Sequence, residues 1–431
     1  MKFLYSDTQD YVDPGYDFLN DRTSPGRECY WSDVYAHEFM DPPPYDGLLV
    51  SMSAVRQATG VAVSKVRYST RAEQRLLRDG ARQFLRYGGP RFKDAMLMGD
   101  CGAFAYVDHP VPAYEPEEVM EFYVEAGFSH GISPDHIILD CHLANPSDRA
   151  VDPEIRQRFA ITLANAEVFL GMVKREGMPF EPLGSVQGWS PKSMAEAAYR
   201  LERMGYRYLA IGGLVPLKVD AIKAVLTAIR ERIRPETGIH LLGFAKADSI
   251  HEFTDFGITS FDSTSPLIRA FKDKKANYYC EGTDGRLEYY TAIRIPQATE
   301  NARLMHGIKR GQFSAEDLLQ RERRALDEVR AYDRGGSSAE ATLDAVMDYH
   351  QFLVRGDGTD PNQQDKALSK TAALVERTLK CQPWKHCDCA ICRDIGVEVI
   401  IFRSSNRNKR RGMHNLGVYY RHLRKTIGEA T

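Results

Sequence analysis

Short apolar segments alternate with amphipathic segments along the first two thirds of the chain. Seven apolar runs have the length and the uninterrupted hydrophobicity of parallel strands that are buried on both faces. These runs are DGLLVSM (46–52), DAMLMGD (94–100), HIILD (136–140), LGSVQG (183–188), YLAIGG (208–213), IHLLGF (239–244) and SFDST (260–264). Between them, apolar residues recur three and four positions apart, often after a Ser, Asp or Pro, which predicts helices.

Repeated strand and helix units of this number predict an α/β fold, a (β/α)8 TIM barrel. A doubly wound sheet is a weaker interpretation, because no GxGxxG turn follows the first apolar run. The eighth strand is left open by the pattern. It is either RLEYYTAIRI (286–295) or VEVIIFR (397–403).

Beyond about residue 312 the pattern becomes purely helical, with SSAE at 337–340 as a capping-box signature. The change in pattern predicts three domains. These are a barrel with an N-terminal extension (1–312), a helical insert (313–380) and a basic, metal-binding C-terminal subdomain (381–431).

Composition places the chain among ordinary globular proteins, with 43% hydrophobic and 27% charged residues. The N-terminal residues are acidic and aromatic, and nowhere do eighteen apolar residues run together. We therefore expect neither a signal peptide nor a membrane span, and a cytoplasmic location.

Cysteine spacing predicts a metal site near the C-terminus. Four of the eight cysteines lie between Cys381 and Cys392, and three of them form the motif CDCAIC (387–392). Thiols this close together are typical of a metal site and not of a disulfide framework. Cys381 and His386 stand near enough in sequence to be alternative ligands.

The net charge of −2 conceals an uneven distribution. No acidic residue occurs between Val399 and Gly428, where basic residues are dense. Such a segment is either a surface that contacts phosphates or a solvated basic tail. The predicted nucleic-acid contacts are Arg403, Arg407, Lys409, Arg410 and Arg411.

Carboxylates and an amide stand where several apolar runs end, which is where the active site of a TIM barrel lies. Each of these Asp residues alone is explained as well or better by helix capping. Together, and beside glycines that allow close backbone approach, they favour a site. Paired carboxylates suit chemistry at a glycosidic carbon. The residues are Asp100, Asp140, Gln187, Gly188, Gly212, Gly213 and Asp262.

An ordered set of motifs resembles the tRNA-guanine transglycosylases: GDCGAF (99–104), VQG (186–188), IGGL (211–214), LLGF (241–244), FDSTSP (261–266), CDCAIC and MHNL (413–416). The resemblance implies that Asp262 is the nucleophile and Asp100 the general acid/base. It implies base recognition by Asp140, Gln187, Gly188 and Gly213, with Leu242 as an apolar lid. It also implies a structural Zn²⁺ on Cys387, Cys389, Cys392 and His414.

Several motifs depart from the usual tRNA pattern, and the departures resemble the DNA-modifying branch, the DpdA-type transglycosylases. That branch implies exchange of guanine in DNA for a 7-deazaguanine such as preQ₀, together with accessory proteins of a DNA-modification system. Two alternatives remain. One is the same exchange on tRNA, and the other is a non-catalytic, zinc-organised nucleic-acid-binding protein.

Overall fold

Eight parallel strands close into a barrel, in the order in which they occur along the chain. The structure is a computed structural model, and it describes residues 1–58, 66–143, 150–244, 246–354 and 360–428. The barrel strands are β1 (Lys2–Ser6), β2 (Gly47–Ser51), β3 (Met96–Asp100), β4 (His130–Ile132), β5 (Glu181–Val186), β6 (Tyr208–Ile211), β7 (Gly238–Leu241) and β8 (Ser260–Ser263).

The predicted TIM barrel is therefore confirmed, and six of the seven apolar runs overlap a barrel strand. The prediction of a strand at 136–140 was wrong. The strand β4 lies earlier, at His130–Ile132, and pairs there with both β3 and β5. The missing strand is β1, which closes the barrel between β2 and β8. Neither segment proposed as the eighth strand belongs to the barrel.

Helices follow the strands where the sequence carries start signals. Asp152 and Ser190 cap two of them, with Pro as the first helical residue in both. Along the described residues the α-helices are α1 (Ala36–Phe39), α2 (Met52–Val55), α3 (Thr70–Phe84), α4 (Pro116–Ala126), α5 (Pro153–Glu176), α6 (Pro191–Met204), α7 (Val219–Arg230), α8 (Ser265–Lys272), α9 (Ala302–Lys309), α10 (Ala315–Asp333), α11 (Ala339–Val354), α12 (Pro361–Cys381), α13 (Ala390–Ile395) and α14 (Ser405–Thr426). A further run, Ala247–Phe256, is 3-10 helical.

The chain forms two compact units that cut across the three predicted domains. Unit 1 comprises Met1–Gln9, Tyr45–Thr264 and Leu423–Thr431, and it contains the barrel. Unit 2 comprises Asp10–Pro44 and Ser265–His422. The predicted boundaries at residues 312 and 380 both fall inside unit 2.

Unit 2 contains the helices predicted for 313–380 and two small sheets. The hairpin of β9 (Tyr278–Glu281) and β10 (Leu287–Tyr290) is antiparallel. The strands β11 (Ile293–Arg294) and β12 (Ile401–Phe402) are parallel neighbours. The two segments proposed as an eighth barrel strand thus pair with each other. No helix in the described parts of the chain is both long enough and apolar enough to span a membrane.

Strand register brings polar side chains to one end of the barrel. The core is filled by apolar residues such as Leu49, Met98 and Leu183, which pack in one cluster. At the carboxyl ends of the strands, Ser51 pairs with Asp100, and Leu4 pairs with Asp262. The side chains available for chemistry therefore follow the last apolar layer of the core.

Candidate active site and metal-binding cluster

Asp262 lies on β8 and is 5% exposed. Its Oδ2 accepts a 2.6 Å hydrogen bond from the hydroxyl of Ser6, at the end of β1. Its Oδ1 accepts a 2.8 Å bond from the backbone N–H of Gly243, whose φ of +62° lies in the region that favours glycine. Donors on both oxygens fix the orientation of this carboxylate.

His240, on β7, also contacts Asp262, and it was not predicted from the sequence. Its Nε2 lies 3.3 Å from Asp262 Oδ1, and its Nδ1 lies 2.6 Å from Ser260 Oγ. An ionised carboxylate can only accept, so Nε2 donates and Nδ1 accepts from Ser260. Ser260 then accepts from Tyr208, whose hydroxyl lies 2.5 Å away. This chain of donors makes His240 a positioning residue for Asp262.

Asp100 ends β3, where its Oδ2 accepts 3.0 Å hydrogen bonds from the Ser51 hydroxyl and the Gly102 N–H. Gly102 has a φ of +81°, and a Cβ there would lie 1.9 Å from Ser53 Oγ. Burial first, and then the negative charges of Asp135 and Asp262, raise the pKa of Asp100 to about 7, although the hydrogen bonds from Ser51 and Gly102 oppose the shift. A carboxyl group of this pKa can both give and take a proton near neutral pH.

Asp135 is the third carboxylate at this end of the barrel; it is 3% exposed, and sequence reasoning missed it. Its Oδ2 accepts a 2.5 Å bond from Gln187 Nε2, and its Oδ1 accepts from the Cys101 thiol at 3.3 Å. Burial raises the pKa of Asp135, although these hydrogen bonds oppose the shift. The other end of the Gln187 amide accepts from the Ile138 N–H at 3.1 Å.

Asp140, predicted to recognise the base, does not lie in this buried cluster. Its side chain is 65% exposed and lies 3.2 Å from His142 Nε2. The reason is the misplaced strand: β4 ends at Ile132, so the carboxylate that follows it most closely is Asp135. A Pro-Asp pair soon after a short apolar stretch was the available signal for it.

The predicted glycines have packing reasons for being glycine. A Cβ on Gly188 would lie 2.8 Å from the Met194 backbone nitrogen, and one on Gly213 would lie 2.5 Å from the Ile138 carbonyl oxygen. Gly213 also has a φ of +71°. Leu242 is partly buried and packs against the barrel core, which is compatible with an apolar lid.

Unit 2 contains a cluster of Cys387, Cys389, Cys392 and His414, whose ligand atoms lie within 4.8 Å of one another. Each sulfur lies 3.4 to 3.5 Å from His414 Nδ1. A tetrahedral zinc with Zn–S of about 2.3 Å and Zn–N of about 2.0 Å requires a sulfur to nitrogen distance of about 3.5 Å. The donor set therefore fits zinc, and the described residues place neither Cys381 nor His386 in the cluster.

Neighbouring groups hold these ligands in the required form. His414 Nε2 lies 2.8 Å from the Tyr279 carbonyl oxygen, so it donates there and leaves Nδ1 free of a proton. The Tyr278 ring stacks on His414 at 4.1 Å, and its hydroxyl lies 3.2 Å from Cys392 Sγ. Asn415, the next residue along α14, accepts from the Tyr279 N–H at 2.9 Å.

A DNA-guanine transglycosylase from Salmonella montevideo is 39% identical to this chain over 429 residues. The match covers 99% of this chain and 97% of that protein. The chain belongs to the DNA-guanine transglycosylase family. Transglycosylases of this kind are pentosyltransferases, so the family is one of enzymes.

A second relative places the DNA-guanine transglycosylases beside the tRNA enzymes. A tRNA-guanine(15) transglycosylase from Pyrobaculum aerophilum is 23% identical over 192 residues, which is 42% of this chain and 36% of that protein. No family model matches the chain. The resemblance read from the motifs is therefore confirmed.

The basic segment of this transglycosylase does not have the predicted surface location. Arg407, Arg410 and Arg411 are fully buried, and the Arg403 side chain is only 6% exposed. A guanidinium enclosed by protein cannot contact a phosphate, so this location gives no support to the predicted nucleic-acid contacts of these arginines. Lys409 is 26% exposed in its side chain, and its Nζ donates to the Tyr11 carbonyl at 3.3 Å.

These arginines instead hold unit 2 together. Arg403 pairs with Asp21 at 2.5 Å and with Glu322 at 2.6 Å, and Arg407 pairs with Asp21 and Glu398. Two of the carboxylates that neutralise the acid-free segment, Asp21 and Glu322, come from distant parts of the sequence, whereas Glu398 immediately precedes the segment. The remaining two arginines donate largely to backbone carbonyls. Arg410 donates to Asp394 and to the carbonyls of Asp13 and Pro14, and Arg411 donates to the carbonyls of Ala270, Val399 and Ile401.

The raised pKa of Asp100 predicts a pH-dependent stability difference in Asp100→Asn. Between about pH 4 and pH 7 the folded state keeps a proton that the unfolded state has lost, so raising the pH through this window lowers wild-type stability. We expect the variant to be more stable than wild type by about 2–4 kcal/mol at pH 8 and nearly equal at pH 4. Denaturant unfolding at both pH values measures this.

The substitution suits the site, because both hydrogen bonds to Asp100 reach Oδ2 and an amide oxygen can keep them. Asp140→Asn is the matched control, since that carboxylate is exposed and should show no such difference. A stability difference that is the same at both pH values would contradict the buried, protonated state of Asp100.

Proposed function

We propose that this chain exchanges guanine in DNA for a 7-deazaguanine such as preQ₀ by double displacement. In the first step Asp262 attacks C1′, the C1′–N9 bond breaks, and guanine leaves with a proton from Asp100. In the second step N9 of the incoming base attacks C1′, its proton passes to Asp100, and the bond to Asp262 breaks. One carboxylate stays covalently bound to the sugar between the steps.

The observation that carries this proposal is the pairing of two different carboxylates at the end of the barrel. Asp262 is oriented by donors on both oxygens, as a nucleophile requires. Asp100 has a pKa near 7, as a group that must both donate and accept a proton requires. The name of the near full-length relative, a DNA-guanine transglycosylase, gives guanine in DNA as what that protein acts on.

Base recognition is proposed for the groups around Gln187, Gly188 and Gly213, as the resemblance implies. The geometry supports Asp135 in the role predicted for Asp140, because it is Asp135 that orients the Gln187 amide. Phe104 follows Asp100 on a 3-10 turn and is 49% exposed. An exposed aromatic ring there suits a base that has been flipped out of the DNA stack.

We also propose that Cys387, Cys389, Cys392 and His414 hold a structural Zn²⁺. Three thiolates and one imidazole fill a tetrahedral coordination shell, so this set keeps no position for substrate water. When bound, zinc would link the segment 387–392 to α14 and thereby to β9. We assign the base exchange to Asp262 and Asp100, and a structural role to this cluster.

Labelled preQ₀ tests the proposed polymer. Purified protein is incubated with the labelled base and either plasmid DNA or bulk tRNA, and the label retained in each polymer is counted. We expect label in DNA, dependent on Asp262. If purified protein labels neither, the assay is repeated in cell extract, because the DNA-modifying branch implies accessory proteins.

The second candidate is the same exchange on tRNA. The match to the tRNA-guanine(15) transglycosylase favours it, although it covers only 42% of this chain. Label that enters tRNA and not DNA, with Asp262 required, would establish this candidate and refute the DNA proposal.

A further inference from the structure

Unit 2 contains a cavity of about 630 Å³ that none of the roles described so far uses. It lies between the end of α8, the end of α11, α12 and the sheet of β11 and β12. A volume of this size accommodates a ligand as large as a nucleotide. Four cationic side chains line it: Lys272, Lys274, Arg294 and Arg303.

Among the residues that the structure describes, these four cations have no carboxylate within ion-pair distance. Within the described residues, none of them forms an ion pair, and Arg303 donates only to the Val354 carbonyl, at 3.0 Å. Burial lowers the pKa of Arg294, and the positive charge of Arg303 lowers it further. Like charges gathered in one cavity repel each other, and an anion bound between them would remove that repulsion.

Three other polar side chains of the wall already accept hydrogen bonds from within the protein. Asp273, the carboxylate among the lining residues, accepts from the N–H groups of Lys275 and Ala276 at 2.8 and 2.9 Å. Asn277 accepts from the Ala292 N–H at 2.7 Å, and Asn301 caps α9. The four cations are therefore the groups of the wall that would recognise an anionic ligand.

Aromatic rings complete the wall. Phe271 and Phe402 both line the cavity, and the Arg294 guanidinium lies 5.7 Å from the centroid of the Phe402 ring. Cations beside aromatic rings are the combination with which proteins hold a nucleotide, the phosphate on the cations and the base on the rings.

We propose that this cavity binds one nucleotide of a DNA strand through its phosphate and its base. The choice of DNA over a free nucleotide rests on the proposed function; the nucleotide site itself does not. The burial of Arg407, Arg410 and Arg411 supports the choice, because the phosphate contacts of a DNA-binding enzyme must then come from other cations.

The test measures binding and not exchange. The variant combines Lys274→Gln with Arg294→Gln, and its control combines Arg286→Gln with Lys380→Gln, two exposed cations outside the cavity. The probes are a short single-stranded oligonucleotide, deoxyguanosine monophosphate and inorganic phosphate. Lys272→Gln with Lys274→Gln, both at exposed positions, replaces the first variant if thermal melting shows that it is misfolded.

We expect the cavity variant to bind the oligonucleotide about tenfold more weakly at physiological salt, with a slope of log affinity against log salt shallower by about 0.7, as the loss of one phosphate contact predicts. The control should match wild type, and deoxyguanosine monophosphate should compete better than phosphate. If the cavity variant binds the oligonucleotide as wild type does but binds deoxyguanosine monophosphate more weakly, the DNA assignment is overturned. If the cavity variant binds both the oligonucleotide and deoxyguanosine monophosphate as wild type does, the nucleotide site is overturned. It is also overturned if inorganic phosphate competes as well as deoxyguanosine monophosphate.

The outcomes are separable from those of the proposed function. Loss of nucleotide binding in the cavity variant, in a protein that exchanges no base, would support this site and refute the exchange. Full exchange with binding unaffected by the substitutions would refute this site alone.

Discussion

Asp262→Asn is expected to lower base exchange by about 10⁴-fold or more and to leave DNA affinity nearly unchanged. An amide cannot form the ester to C1′, so the loss concerns the chemical step and not binding. The measurements are incorporation of labelled preQ₀, DNA binding, and the yield of a protein–DNA adduct that survives denaturation. Wild type should form this adduct, and Asp262→Asn should form none.

The substitution should preserve the fold, because the site can accommodate an amide. The amide oxygen can take the place of Oδ1 and accept from Gly243 N–H and from His240. The amide NH₂ then faces Ser6, whose hydroxyl can rotate to accept it. Asp255→Asn, at an exposed carboxylate of the same unit, is the control and should keep full activity. An adduct in the Asp262→Asn protein would place the nucleophile elsewhere.

Asp100→Asn separates the two carboxylates by their chemistry. We expect exchange to fall by about 10² to 10⁴-fold, because the variant loses proton transfer but keeps the attacking atom. It should therefore still form the covalent adduct, slowly, whereas Asp262→Asn should not.

Cys389→Ser is expected to reduce bound zinc from about one ion per chain towards none and to destabilise unit 2. Metal-binding free energy of about 10 kcal/mol is coupled to folding in sites of this type. The thiol also receives the Cys392 N–H at 3.4 Å and begins α13, so its loss disturbs the ligand segment. Metal analysis and thermal melting measure the two effects.

Cys381→Ser is the matched control, since that exposed thiol lies outside the cluster and nearby in sequence. It should leave zinc content and melting unchanged. Full zinc content together with unchanged melting in the Cys389→Ser protein would refute a Cys₃His site.

The sequence by itself determined the parts of the fold that local pattern encodes. Continuous apolar runs predicted six of the barrel strands, because strands buried on both faces need apolar side chains throughout. The spacing of CDCAIC predicted a metal cluster, since three thiols within six residues converge without help from the rest of the chain. The strand-end positions of Asp100 and Asp262 were likewise visible.

Only the tertiary structure decided the contacts between distant segments. The barrel is closed by β1, whose apolar run of three residues lies between Lys2 and Ser6, and Ser6 reaches Asp262 across 256 residues of sequence. The strand β4 has only three residues, so the longer apolar run after it drew the prediction towards Asp140 and away from Asp135. The charge of Arg403 and Arg407 was visible, but the sequence does not show that Asp21 neutralises both. The physical reason is that periodicity reports which face of an element is buried, whereas the partner of a buried charge depends on which distant segment folds against it.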